Sequence, residues 1–350
     1  MLWPGAGASG AGGATEARGG SVRMSSSNWD ARPALPRRLA IAVMATLLMG
    51  AAGSRDAVAA GPYQRTFASP GEAVQALVEA AKAGDMEALA AILGPEGRDL
   101  ISSGDAVADK QDRARFVRSY EQLNTLDRPT ETKAVLVIGQ DQWPLPIPVV
   151  KEGQTWRFDT AAGKEEILSR RIGRNELDTI QVSLAYVDAQ REYARVPREG
   201  DGLITYGMKF RSDKGRKNGL YWPTKKADAL SPLGVLVANA RAEGYSRKTS
   251  GGTPTPYHGY VYRILTAQGP DAPGGAYDYV VNGKMIGGFA LVAHPAQYGV
   301  SGVMTFIVNH EGVVYQKDLG RDTETIARTM ETYNPDSTWK KAGASPPPTR

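Results

Sequence analysis

Apolar and polar residues alternate most regularly between residues 287 and 320, and this pattern predicts three antiparallel strands. The strands are expected at residues 289–294, 303–308 and 313–317. The loop between the last two is typical of a tight hairpin, with Gly312 where the backbone needs a positive φ. The chain is therefore expected to carry a β-meander near its C-terminal end.

In the N-terminal part of the chain, apolar residues recur at the spacing of an α-helix. Ser69 is followed by Pro70 and Glu72, a combination that marks the start of a helix. The Gly-Asp pair at 84–85 predicts the end of this helix and the start of a second. A third helix is expected over residues 110–123.

Short strands are expected to follow these helices, at residues 134–138 and 155–158. Residues 143–150 contain three prolines, which indicates an edge strand or an irregular strand. This element order resembles the cone-shaped α+β fold of the nuclear-transport-factor-2-like superfamily, which implies an enclosed pocket. An enzyme of that group would use an Asp–His pair, and this part of the chain has no histidine. Catalysis is therefore not expected here.

Two further helices are predicted on either side of Gly173. The first begins near Gly163 and is expected to end at Gly173, and Asn175 is expected to cap the second. The second helix has two apolar stripes, which predicts burial on two sides, against a sheet and against another domain. The stripes consist of Leu177, Ile180, Leu184 and Val187, and of Val182, Tyr186, Ala189 and Tyr193.

Beyond these helices, the pattern predicts a helix at 233–242 and strands at 260–267 and 277–281, with a hairpin turn at 282–283. A long helix followed by an antiparallel sheet resembles the globular head of type IV pilins and pseudopilins. The stretches AYVDAQREYA and GVMTFIVNHEGVVY carry this resemblance. Because the helix lies in the middle of the chain, polymerisation in the manner of pilins is not implied.

The predicted fold class is α+β with two domains. Residues 60–173 form the first domain, in which helices accompany a cone-like antiparallel meander. Residues 174–340 form the second, in which one long helix packs on an antiparallel sheet. Residues 1–59 are predicted to be a disordered leader with a signal peptide, and residues 341–350 a disordered, proline-rich tail.

The signal peptide is predicted from a short apolar run at residues 39–50. Arginines precede the run, and small residues at 57–59 form a cleavage signal. The run is too short for a stable membrane span. We expect a cleaved leader, a periplasmic or secreted mature chain and no transmembrane segment in that chain. An uncleaved anchor is the alternative.

The amino-acid composition excludes several kinds of site but does not indicate a function. The chain has no cysteine, which excludes disulfides, thiol catalysis and cysteine metal ligands. The leader carries six arginines and three acidic residues, so its removal lowers the net charge from +5 to +2. Because the mature chain is so weakly charged, a nucleic-acid partner is not expected.

Several stretches between residues 163 and 340 resemble one family of exported bacterial proteins, the domain-of-unknown-function 2950 family. They are GKEEILSRRIGRNELDTI, AYVDAQREYA, KNGLYWP and the whole meander from GFALVAHPAQYGV to VVYQKDLG. The resemblance implies an exported location. It implies no activity, cofactor or catalytic residue.

The stretch KFRSDKGRKNGLYWP is the strongest candidate for a binding site. Five cations within nine positions lead into two aromatic residues, a combination suited to an anionic glycan or nucleic acid. The predicted ligand-binding residues are Lys209, Arg211, Arg216, Lys217, Tyr221 and Trp222. The alternative is a solvated turn whose Tyr221 and Trp222 fill the core.

The sequence gives little support for a metal site. The histidines, His258, His294 and His310, show no metal-ligand spacing, and His310 is expected to be exposed in its turn. Acidic residues at 318–324 could bind calcium, but a capped helix explains them more simply. No metal or cofactor is therefore predicted.

Two classes of function stay open. The first is a non-catalytic exported protein that binds an anionic envelope polymer or an envelope protein. The second is an envelope hydrolase with an unrecognised site. A polar pocket that contains a perturbed carboxylate or histidine would favour the enzyme, and an apolar or shallow pocket would favour binding.

Overall fold

The computed structural model describes residues 64–198, 202–225, 230–245 and 255–343, and their fold is α+β, as predicted. The predicted leader and signal peptide, and the tail beyond residue 343, lie outside the described residues. The helices are α1 (Pro70–Ala83), α2 (Met86–Leu93), α3 (Arg98–Ile101), α4 (Ala106–Gln122), α5 (Thr160–Tyr193), α6 (Gly234–Ala242) and α7 (Thr323–Thr329).

The strands form two larger antiparallel sheets and two small ones. The first sheet consists of β1 (Asn124–Thr130), β2 (Lys133–Ile138), β3 (Trp143–Pro144), β4 (Val149–Glu152) and β5 (Thr155–Phe158). The second consists of β6 (Tyr260–Leu265), β11 (Ala290–Pro295), β12 (Met304–Asn309), β13 (Tyr315–Asp318) and β15 (Lys340–Lys341). The small sheets consist of β7 (Ala267–Gln268), β8 (Tyr277–Asp278) and β14 (Thr332–Tyr333), and of β9 (Val280–Val281) and β10 (Lys284–Met285).

The helix starts in the N-terminal part confirm the capping signals in the sequence. The Ser69 hydroxyl accepts a hydrogen bond from the Glu72 N–H at 3.2 Å, and Pro70 occupies the first helical position. Asp85 caps α2 in the same way, accepting from the Ala88 N–H at 2.9 Å. These local bonds satisfy N–H groups that the helix itself cannot pair.

The first sheet has the strand order β1-β2-β4-β5, with β3 also paired to β2. Strand β1 was not predicted, because nearly all of its residues are exposed and it therefore carries no apolar alternation. Helices α1 and α2 and the sheet enclose a core that includes Leu77, Ile92, Leu136 and Phe158. A small cavity of about 60 Å³ lies within this core and is lined mainly by apolar side chains. The likeness to the nuclear-transport-factor-2-like fold stays a prediction.

Helix α5 runs unbroken for 34 residues, so the predicted break at Gly173 and the predicted cap at Asn175 are wrong. Gly173 is exposed, and an isolated glycine costs a helix only about 1 kcal/mol, which packing along the rest of the helix can offset. Asn175 is buried, and its amide donates to the Ser301 carbonyl oxygen at 2.8 Å. The proposed boundary between residues 173 and 174 therefore falls inside a continuous helix.

The two halves of α5 serve different cores. In the first half, the Thr160 hydroxyl donates to the Leu93 carbonyl oxygen at 2.8 Å and Ile167 lies in the first core. In the second half, Tyr186 and Tyr193 enter a second core. Leu177 is 64% exposed, so the first predicted stripe is wrong at that position. No helix within the described ranges is both long and apolar enough to cross a membrane.

The second sheet has the order β15-β13-β12-β11-β6 and contains the predicted meander. Strands β11 and β12 pair in register from Ala290 with Asn309 to Ala293 with Phe306, and α5 packs against both strands. The hairpin turn at 309–312 is confirmed, with Gly312 at a φ of +81°. The likeness to pilin heads stays a prediction.

Candidate functional site

The basic stretch identified in the sequence forms an ordered loop that returns on itself. The carbonyl oxygens of Lys209 and Phe210 accept hydrogen bonds from the N–H groups of Leu220 and Tyr221, both at 2.9 Å. The Ser212 hydroxyl holds the base of the loop by donating to the Gly219 carbonyl oxygen at 3.1 Å. The loop is thus fixed at its base, and its cations project from a defined position.

Tyr221 and Trp222 are buried, at 8% and 9% exposure, and belong to the second core. Their placement fits the alternative in which these rings fill the core. A ligand at the loop would therefore meet the cations first and the ring edges at most. Binding by the six predicted residues stays a prediction.

Four cations cover the aromatic rings beside the loop, and we call them the basic surface: Arg198, Arg211, Lys217 and Arg241. Arg198 and Lys217 lie over the Trp222 ring at 5.0 and 5.5 Å from its centre. Arg211 and Arg241 lie over Tyr221 at 5.6 and 5.3 Å. Within the described part of the chain, none of the four forms a salt bridge with a carboxylate.

Lys209 has a different environment from the basic surface. Its ammonium group pairs with the Asp213 carboxylate at 2.8 Å, and both side chains are half exposed. Hydrogen bonds from Lys209 and Asn218 lower the pKa of Asp213 below its usual value. The charge of Lys209 is therefore largely balanced, whereas Arg216 is exposed at the tip of the loop.

A second concave surface, the tyrosine groove, lies between α5 and α6 and has a volume of about 340 Å³. Its aromatic lining consists of Tyr186, Phe210, Tyr245, Tyr257 and Tyr262. The hydroxyls of Tyr186 and Tyr245 donate to groups outside the lining, the Ala290 carbonyl oxygen and Asp105. Aromatic rings and aliphatic side chains make up most of the lining, which suits binding of an apolar group more than catalysis.

The three histidines occupy different environments. His294 is buried in β11, and burial lowers its pKa. His310 is half-buried against the rings of Tyr279 and Phe289, so the expectation of an exposed turn histidine is wrong. Among the side chains that the structure describes, no group of three or more His, Asp or Glu residues could hold a metal ion.

His258 is held between two carboxylates, an arrangement that sequence spacing did not reveal. Its Nδ1 lies 2.9 Å from Asp178 of α5, and its Nε2 lies 2.8 Å from Glu243, which follows α6. Burial lowers the pKa of His258, but the hydrogen bonds and negative charges of the two carboxylates outweigh burial and raise it overall. With both ring nitrogens engaged, His258 acts as a clamp between α5 and the end of α6.

Asp105 extends this clamp to the N-terminal part of the chain. One carboxylate oxygen caps α4 by accepting from the N–H groups of Val107 and Ala108, both at 3.1 Å. The other accepts from the Tyr245 hydroxyl at 2.8 Å and from the Gly259 N–H at 3.0 Å. A single buried carboxylate therefore joins segments that are 154 positions apart.

We expect the stabilisation by His258 to depend on pH. Because folding raises its pKa, the contribution is fully present below about pH 6.5 and is lost as the pH rises through the raised value. His258→Asn removes both bonds, and asparagine tolerates the positive φ of 51° at this position. Urea unfolding should show a loss of about 1–2 kcal/mol at pH 5.5, shrinking toward zero at high pH.

The control for this experiment is His310→Asn. Burial lowers the pKa of His310, so its contribution is present above about pH 6.5 and is lost as the pH falls. The stability differences of the two variants should therefore change with pH in opposite directions. A difference for His258→Asn that is constant from pH 5.5 to 9 contradicts the clamp.

Comparison with known families decides where the chain belongs. A family model described as a protein of unknown function, DUF2950, matches residues 64–342. The chain belongs to the DUF2950 family. No curated protein and no solved structure matches the chain.

The DUF2950 match spans both cores and includes the basic surface, the tyrosine groove and the His258 clamp. In this DUF2950 chain, sequence reasoning found the basic loop but missed the clamp and the groove. Glu243 and His258 are close in the sequence, but Asp178 and Asp105 are far from both. Only the packing of α4, α5 and α6 brings the four side chains together.

Proposed function

We propose that this chain is an exported, non-catalytic protein of the cell envelope that binds an anionic polymer through the basic surface. The observation that carries the proposal is the stacking of cations on Tyr221 and Trp222. Each ring holds a cation in place without neutralising it, because the attraction comes from the ring quadrupole. Positive charge therefore remains available to an anion.

The chemistry of the basic surface suits a polymer that carries carboxylate or phosphate groups. Three of its four cations are arginines, whose planar guanidinium groups can bind such groups through two parallel hydrogen bonds. Lys214 and Arg216 add charge at the exposed tip of the loop. Several such contacts along one chain of repeating anions add up, which favours a polymer over a single small anion.

The alternative of a hydrolase finds less support. The histidine with adjacent carboxylates, His258, uses both ring nitrogens in the clamp, so neither nitrogen can accept a substrate proton without opening it. The tyrosine groove presents ring surfaces instead of a polar catalytic pair. Both features favour binding over catalysis.

The loop variant carries Arg211→Ser, Arg216→Ser and Lys217→Ser, and so loses two cations of the basic surface and one at the tip of the loop. The proposal predicts that this variant binds purified peptidoglycan at least about tenfold more weakly than wild type at low salt. Added salt should weaken wild-type binding, because exposed charges are screened. Sedimentation with peptidoglycan measures both effects. The protein is isolated from the envelope fraction of producing cells, where N-terminal sequencing should give a start near Ala60.

A matched control removes three exposed lysines elsewhere: Lys110→Ser, Lys133→Ser, Lys151→Ser. It lowers the net charge equally and should bind as wild type does. Unfolding curves should show both triple variants folded, since exposed substitutions usually change stability by less than about 0.5 kcal/mol each. Equal binding by wild type and the loop variant would show that the loop is only a solvated turn.

A further inference from the structure

An exposed apolar patch lies beside the basic loop. It consists of Leu203, Ile204, Met208, Val281 and Ile286, each between 41% and 55% exposed. Hydrophobic residues scattered singly on a surface are ordinary, but a contiguous apolar group usually marks an interaction site. The five residues lie on two segments of the chain, residues 203–208 and the β9–β10 hairpin with the residue that follows it.

Backbone contacts bring the two segments of the patch together. The Tyr206 N–H donates to the Met285 carbonyl oxygen at 2.8 Å, so residues 203–208 run alongside the β9–β10 hairpin. Val281 pairs with Lys284 in that hairpin, and Ile286 follows it directly. The Tyr206 ring packs on Phe289 at 4.9 Å, which anchors the segment to the second core. The patch thus rests on a fixed base and does not depend on a free loop.

The patch continues directly into the basic loop. Met208 is exposed, and the next residue, Lys209, begins the run of five cations that ends at Lys217. Exposed apolar side chains next to lysine and arginine are the combination that binds anionic bilayers. The apolar groups enter the boundary between headgroups and acyl chains, and the cations contact the anionic headgroups.

We propose that the apolar patch docks on the surface of an anionic lipid bilayer, with the basic loop against the headgroups. The charge of the adjoining loop selects this occupant. Its four cations other than Lys209, which pairs with Asp213, complement anionic headgroups but add nothing to a purely apolar protein contact. The proposal shares the loop with the proposed function and rests in addition on the apolar side chains, which binding of a soluble polymer does not need.

The first experiment is sedimentation of the purified protein with vesicles. Wild type should bind vesicles that contain phosphatidylglycerol and should not bind vesicles of phosphatidylcholine alone. The patch variant Ile204→Gln, Met208→Gln, Ile286→Gln should bind anionic vesicles at least about thirtyfold more weakly, since inserted apolar side chains supply much of the affinity. Its binding to peptidoglycan should equal that of wild type.

The matched control replaces three apolar residues outside the patch that are at least 40% exposed: Leu177→Gln, Val235→Gln, Ile326→Gln. This control should bind anionic vesicles as wild type does, and unfolding curves check that both variants fold. If the patch variant also binds these vesicles as wild type does, the proposal that the apolar patch docks on the bilayer is wrong. In that case the proposed function is still supported if the loop variant loses peptidoglycan binding and the patch variant keeps it.

A second measurement uses the absence of cysteine from the chain. Ile204→Cys and Leu177→Cys each create a single site for a polarity-sensitive dye. On anionic vesicles the dye at residue 204 should shift its emission to the blue, and the dye at residue 177 should not. Equal behaviour at the two positions contradicts insertion of the patch. A wild-type dimer that ignores vesicles and dissociates in the patch variant would identify a second copy as the occupant and overturn the proposal.

Discussion

Replacing Gly163 by alanine should destabilise the protein by about 1–3 kcal/mol, whereas the same replacement at Gly173 should stabilise it by up to about 1 kcal/mol. Both glycines lie in α5, and alanine is the better helix former at either position. At Gly163, however, a Cβ would lie 2.5 Å from the carbonyl carbon and oxygen of Pro146. These are backbone atoms, so no side-chain rotation can relieve the contact.

The two replacements are expected to change stability in opposite directions because the proline-rich stretch passes close to α5 at Gly163 and not at Gly173. Residues 144–148 cross the start of α5, and the Pro148 carbonyl oxygen accepts a hydrogen bond from the Asp159 N–H at 2.8 Å. The helix can approach this closely only where it lacks a side chain. A Cβ at Gly173 meets no atom within 4 Å. Urea unfolding of both variants measures these changes in stability. A stabilising Gly163→Ala would show that the Pro146 backbone does not lie close enough to Gly163 to exclude a Cβ.

Asp105→Ala should lower the free energy of unfolding by about 3–5 kcal/mol, the largest single effect that we expect. The substitution removes the cap of α4 and leaves the Gly259 N–H and the Tyr245 hydroxyl without their acceptor. Asp105 is only 2% exposed, so water can replace these bonds poorly. Chemical denaturation with two probes, far-ultraviolet and near-ultraviolet circular dichroism, measures the loss.

Asp85→Ala is the matched control for this effect. Asp85 caps α2 through the Ala88 N–H and is exposed, so its loss should cost only about 0.5–2 kcal/mol. The excess cost at Asp105 reports the bonds to Tyr245 and Gly259. If the two variants lose equal stability, Asp105 is a helix cap and nothing more.

Local signals in the sequence predicted local structure well. The Ser69 cap and the turn at Gly312 depend on neighbouring residues only, and both are confirmed. The end of a helix at Gly173 was wrong because a single glycine weakens a helix by about 1 kcal/mol, less than packing on both sides of it supplies. Strand β1 escaped notice because an exposed edge strand has no apolar alternation to detect.

The candidate site was predictable only where its residues are consecutive. The cations of the basic loop fall within nine positions, so their clustering is visible in the sequence. The clamp joins Asp105, Asp178, Glu243 and His258, which meet only after three helices have packed. The burial of Tyr221 and Trp222 likewise follows from long-range packing, because an aromatic pair beside cations suits a core and a binding surface equally well.

The unbroken α5 also determines how the chain can be divided for expression. A cut between residues 173 and 174 would give each fragment half a helix, with its exposed end deprived of hydrogen-bond partners. A fragment that keeps the first core needs Thr160, Ile167 and Arg171, whereas one that keeps the second needs Tyr186 and Tyr193. Recombinant halves that overlap along α5, so that each carries residues on both sides of position 173, would keep the backbone groups near the cut paired.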